Sequence, residues 1–130
     1  MLRISGPHAL ALGSLVFEPP LPTARAFVPG RVSVRGRSVP AFALVLIGPR
    51  SFTGEDTVEL HVPGSPVLVQ ALLEALLADG AARGARLALP GEFTARAVQN
   101  GRLDGCSAEG LLMMLHASDA EAARAAGLEF

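Results

Sequence analysis

Few residues in this chain have the type and spacing that chemistry requires. Cys106 is the single cysteine, and His8, His61 and His116 are scattered, so no Cys/His set has the spacing of a zinc site. No serine sits in a G-x-S-x-G elbow, so no hydrolase of that kind is expected. The phosphate-cradling pattern G-x-x-x-x-G-K-[ST] is also missing. Gly54-Glu55-Asp56 and the glycine-rich stretch at 80–84 lack its spacing and its lysine. What remains is a carboxylate on a strand: Glu59 shares a face with Thr57 and His61, while Val58, Leu60 and Val62 take the other. Taken alone, that pattern suits a solvent-facing strand residue as well as a ligand acceptor.

The composition frames what can position such a group. The 130 residues are half hydrophobic, enough for one domain with a proper core, and the expectation is a single domain over 1–130. Eleven basic residues stand against 12 acidic, so the chain carries no general polyanion-binding signal. All 11 basic residues are Arg, which in an Ala-, Gly-, Leu- and Pro-rich chain reads as coding bias. Arg25, Arg31, Arg35 and Arg37 read as a solvated edge before they read as a phosphate site. A lone cysteine without a partner fits a reducing cytoplasm, with Cys106 inert. No apolar run approaches the ~18 residues of a membrane span.

Alternation at Leu2–Ser5 predicts a strand, and Gly6-Pro7 opens a helix running to about Phe17. A second extended segment, about Arg25–Arg35, is expected to break at Pro29-Gly30, with the turn at Gly36-Arg37-Ser38. Ala41–Ile47 is apolar throughout and is expected as the central strand, covered on both faces. Thr57–Val62 is the next strand. Ser65-Pro66 makes a cap and first turn for a helix to about Asp79, closed by Gly80. From Val67 to Ala78 that helix has only Gln70 and Glu74 as polar residues, one turn apart. It therefore requires burial on more than one side, within the domain or against a second subunit. A short strand at Arg86–Leu89, helices at about Glu92–Gln99 and Ala108–Ala126, and the turn Asn100-Gly101 complete the reading. Strands and helices alternate irregularly, so the expected class is α+β, a mixed β-sheet with packed helices.

Three stretches then carry a resemblance. They are Arg3-Ile4-Ser5-Gly6; Gly48 through Asp56 with Val58-Glu59-Leu60; and Pro90-Gly91-Glu92-Phe93-Thr94, Arg96-Ala97 and Asn100-Gly101-Arg102-Leu103-Asp104, with Ala108-Glu109 continuing. In order and spacing they resemble the R-I-S-G, P-x-S-[FY]-T-G-E-D-x-x-E and P-G-E-F-[TS]-x-R-A-x-x-N-[GD]-K-x-D motifs of the N-terminal, tetrahydrofolate-binding domain of the tRNA-modification GTPases called TrmE or MnmE. The chain departs from that pattern in four places. The family's opening strand with its A-T-P-P-G segment is not seen ahead of Arg3. Pro63-Gly64-Ser65 stands where H-G-G is usual. Arg102 replaces a lysine, and Gly105-Cys106-Ser107 replaces an apolar residue with Thr-Gln. The family's GTPase and C-terminal cysteine motif have no counterpart in these 130 residues, and Cys106 is not that cysteine.

The resemblance implies an α+β fold related to folate-using aminomethyltransferases. It also implies a homodimer that binds a 5-formyl- or other one-carbon-bearing tetrahydrofolate near the subunit contact; the missing phosphate loop and Cys/His set add the expectation of no GTP and no metal. By motif position, the ligand contacts fall on Arg3, Glu59 and Arg102. The implied role is in wobble-uridine modification of tRNA with a flavoprotein or full-length TrmE partner, and 108–130 would begin the family's helical region. Alternatives are a ligand-free dimerisation or regulatory paralogue, and a minimal folate-dependent one-carbon transferase.

Overall fold

The computed structural model describes residues 1–103. The expected helix at 108–126 and the readings of Asp104, Cys106 and 108–130 lie outside the described residues.

The α+β class stands, built on one five-stranded sheet. Strands β1 (Leu2–Ser5), β2 (Phe17–Glu18), β3 (Ala26–Val34), β4 (Arg37–Leu46) and β5 (Thr57–His61) lie in the order β1-β5-β4-β3-β2. Every ladder among the described residues is antiparallel, where a mixed sheet was expected. The long apolar β4 is central, as its composition predicts.

Alternation divides the sheet into two faces. Val32, Ala43, Val45, Val58 and Leu60 point to the core face and are buried. Helices α1 (Ala9–Gly13) and α2 (Pro66–Asp79) contribute Ala9, Leu12, Leu72 and Leu76 to the core. Ser65 caps α2 by accepting from the Leu68 N–H, as the Ser-Pro pair predicts. The nearly all-apolar girth of α2 is taken up unevenly: Ala71, Leu72 and Leu76 are buried, Leu73 and Leu77 half-buried, and Val67 exposed.

The opposite, outer face carries α3 (Glu92–Gln99) and the 51–56 loop at one end only. There Phe42, Leu44 and Leu46 of β4 are only half-buried, so this strand is fully covered on one face rather than two.

Four local readings give way to packing. The first helix stops at Gly13, where a side chain would meet Leu21 and Val58 within about 3.1 Å. The chain then turns to bury Val16 and Phe17, and Phe17 pairs with Val32. Strand β3 runs unbroken through Pro29-Gly30. Ser33 donates to Val16 O, so the odd positions face β2, and the missing N–H of Pro29 falls beyond the end of that strand. Gly30 is required because a Cβ there would lie 2.0 Å from the Glu18 carbonyl oxygen. The β3–β4 turn is Arg35-Gly36, both at positive φ (51° and 73°), the two-residue geometry that matches strand twist. Finally, Arg86–Leu89 forms no strand.

Candidate functional site

The three candidate residues meet the structure differently. Arg3 and Glu59 are cross-strand partners on the outer face of β1 and β5. Arg3 donates through Nε and Nη2 to Glu59 Oε2 at 3.1 and 3.0 Å. The other carboxylate oxygen, Oε1, lies 3.1 Å from His61 Nε2. The Glu59 side chain keeps only 14% of its exposure. The alternation that put it off the core face is right, but the residue is not a loose solvent-face group; two neighbours hold it.

Arg102 sits in the turn after α3 and donates through Nε to the Ser51 carbonyl at 3.0 Å. It neither pairs with Glu59 nor touches Arg3. The link between them is the next residue, since the Phe52 ring lies 5.9 Å from the Arg3 guanidinium carbon.

Phe93 lies 5.6 Å from the same carbon, so Arg3 stands within cation–π range of two rings. On the far side of Glu59, the His61 ring stacks on Phe42 at 4.5 Å and 6°, and Phe42 contacts Phe27 at 4.9 Å. A continuous line therefore crosses four strands, from the rings at Arg3 through the carboxylate to His61, Phe42 and Phe27. Phe27 is 60% exposed. Sequence alone marked His61 as sharing the face of Glu59. It gave no sign of Phe27 and Phe42, or of Phe52 and Phe93 flanking Arg3, because those contacts join residues far apart in the chain.

A polar frame fixes the covered end of the face. Arg96 Nη1 donates to Ser5 O (3.2 Å) and Glu55 Oε1 (3.0 Å), and Nη2 donates to Glu92 Oε2 (2.7 Å). Glu92 also accepts from Arg86 at 2.8 and 2.6 Å and from the Leu89 N–H at 2.9 Å. The Arg86 hydrogen bond, then that of Leu89, draws the Glu92 carboxyl down to about 2, with Arg96 adding to it against partial desolvation. Ser5 Oγ, Thr53 Oγ1 and Glu55 form a short chain behind this, and Asn100 donates to Thr53 O at 2.7 Å. The buried Ser51, Thr53 and Thr57 are thus satisfied, and no buried side-chain polar atom among the described residues is orphaned. Gly54, at φ 81°, lets the loop close on Asn100 and Arg102; a Cβ would lie 2.7 Å from Asn100 Cβ. The motif residues of 51–56 and 92–102 build this frame.

Of the four arginines read as an edge, Arg31 bonds Ser38 and Arg35 pairs with the exposed Glu74, so those two do not form an anion patch. Among the described residues no three His, Cys, Asp or Glu converge as metal ligands, and no helix is long and apolar enough to cross a membrane.

The described residues thus form an antiparallel α+β domain with a framed carboxylate on a half-open aromatic sheet face. The chain belongs to the family described as the N-terminus of the GTP-binding protein TrmE, whose model matches residues 1–102. Among its relatives, the tRNA modification GTPase MnmE of Myxococcus xanthus is 45% identical over 130 residues, covering 97% of this chain and 29% of the relative. MnmE of Parasynechococcus marenigrum is 43% identical, with 97% and 28% covered. MnmE of Chlamydia felis is 38% identical, with 94% and 27% covered. The chain thus spans under a third of the length of these curated relatives.

Proposed function

We propose that this chain is a non-catalytic, homodimerising module that binds a 5-formyl- or other one-carbon-bearing tetrahydrofolate in the cytoplasm and serves tRNA modification. The observation that carries the reading is the Arg3–Glu59–His61 line, edged by Phe42, Phe52 and Phe93 on a half-open face, with Arg3, Phe52, Glu59 and Phe93 in the family-motif stretches. A pterin edge presents adjacent ring and amino N–H donors, which a carboxylate accepts with charge assistance. Glu59 is the acceptor in this reading, the rings supply flat apolar surface, and Arg3 and Arg102 face the ligand's carbonyl or carboxylate oxygens. The exposed Phe27 and half-buried Phe42 and Leu44 give a second copy a surface beside the ligand. The chain has no phosphate loop, so no GTP role is assigned to it. The tRNA role, with a flavoprotein or a full-length relative as partner, rests on the relatives' names and motifs.

One observation favours a second reading, a ligand-free dimerisation module. Both Glu59 oxygens already have partners, so the line is self-sufficient without a pterin. Titration with 5-formyltetrahydrofolate separates the two. Saturable 1:1 binding by the wild type, weakened by about 2–5 kcal/mol in Glu59→Ala, supports folate binding. The variant must be folded by circular dichroism, since losing the Arg3 and His61 contacts of Glu59 costs about 1–2 kcal/mol of stability. No binding by the wild type, with a dimer in light scattering, moves the assignment to the second reading. Transfer of the one-carbon unit to an amine would instead establish the enzymatic alternative.

A further inference from the structure

The two partners of Glu59 hold it unequally. Arg3 gives both Nε and Nη2 to the single oxygen Oε2, at 3.1 and 3.0 Å, and so takes both lone pairs of that oxygen. Its guanidinium is permanently charged and stands within cation–π range of Phe52 and Phe93, so this holder is fixed. His61 gives one bond, from Nε2 to Oε1 at 3.1 Å. A carboxylate only accepts, so Nε2 carries a proton, in the neutral ring or in the imidazolium. The ring otherwise lies flat on the half-buried Phe42, and 30% of the side chain is exposed. Rotation about its side-chain torsions releases it to solvent.

A ligand with adjacent ring and amino N–H donors needs two acceptor positions side by side. Glu59 as held has one lone pair left, on Oε1. Withdrawal of His61 frees the second, and Arg3 already shows that two neighbouring N–H groups can share one oxygen of this carboxylate. Withdrawal of Arg3 instead would break two charge-assisted bonds and leave a permanent cation unpaired.

We infer that His61 is a releasable guard on Glu59: the ligand's paired donors replace it on Oε1, and binding is tightest when the imidazole is neutral. The inference rests on the folate reading above and specifies how that same site is regulated. An imidazolium holds the carboxylate by a charge-assisted bond, about twice as strong as that from a neutral ring. Histidine changes charge between about pH 5 and 8, so acid strengthens the guard and weakens the ligand. The charged groups facing His61 are Glu59 on its own strand and, from β1, Arg3 on the far oxygen of the same carboxylate; β4 presents the uncharged Phe42. Among the described residues His61 forms no other ion pair.

The test is the affinity of the full chain for 5-formyltetrahydrofolate, by calorimetry at about pH 8 and about pH 5.5. Wild-type affinity should fall about ten-fold between the two. His61→Phe keeps a ring on Phe42 but cannot pair with Glu59. It should bind more tightly than the wild type at both pH values and lose that fall, with circular dichroism confirming the fold. His61→Gln keeps an N–H donor without titrating; it should also lose the pH dependence, and it serves if His61→Phe fails to fold. Wild-type binding that is flat with pH, a fall that persists in the variants, or weaker binding by His61→Phe at every pH overturns the inference and leaves the folate reading standing. No wild-type binding at either pH removes both.

Discussion

The two ends of the outer sheet face use similar residue types to opposite effect. At the β1 end, Arg96, Glu92, Glu55, Ser5, Thr53 and Asn100 consume one another's hydrogen-bonding capacity and tie α3 and the 51–56 loop to the strand. At the β3–β4 end, Phe27, Phe42 and Leu44 lie on the same face with no element of the described chain laid across them. Glu59 stands at the boundary, held by Arg3 from the framed end and by His61 from the open one. The contrast teaches that dense motif residues need not be ligand residues. Most of those in 51–56 and 92–102 are engaged with one another and position the face.

The sharpest way to break the contrast is to open the frame. Gly54→Ala forces a Cβ onto Asn100 at a backbone angle that L-residues rarely adopt. It should lower unfolding stability in urea by about 3 kcal/mol. A loss under about 0.5 kcal/mol would mean the loop is not pinned there.

Arg96→Met should come next, at about 2 kcal/mol, because it strands Glu55 and uncaps Ser5 O while keeping much of the side-chain volume. Acid sharpens the same point through Glu92. Its carboxyl is held near 2 in the folded chain against an ordinary 4.5, so its contribution is complete above about 4.5 and is lost as pH falls towards 2. Urea midpoints measured from pH 6 down to 2.5 should therefore fall less steeply for Glu92→Gln than for the wild type. Parallel curves would remove Glu92 from the acid response.

At the open end the expected change in monomer stability is smallest. Phe27→Ser removes an exposed ring and should move stability by less than about 0.5 kcal/mol. Its effect should appear in association, as a raised dimer dissociation constant in light scattering. A dimer unaffected by Phe27→Ser would place the subunit contact elsewhere.

Much of this was legible from residue order alone. The bounds of β1, α2 and α3, the central place of β4 and the division of β5 into core and outer faces follow from alternation, the Ser65-Pro66 cap and the Pro90-Gly91 and Asn100-Gly101 turns. These signals act over a few residues, so local sequence suffices to set them. The sequence also named Arg3, Glu59 and Arg102 through their motifs, and the family followed. Tertiary structure alone decided that Arg3 and Glu59 hold each other while Arg102 props the loop carbonyl of Ser51. It decided that β3 survives Pro29-Gly30, that the first helix yields Phe17 to a strand, and that 86–89 stays outside the sheet. A strand is defined by its hydrogen-bonded neighbour and a charge by its nearest partner. Both lie across the fold, at separations that no local pattern encodes.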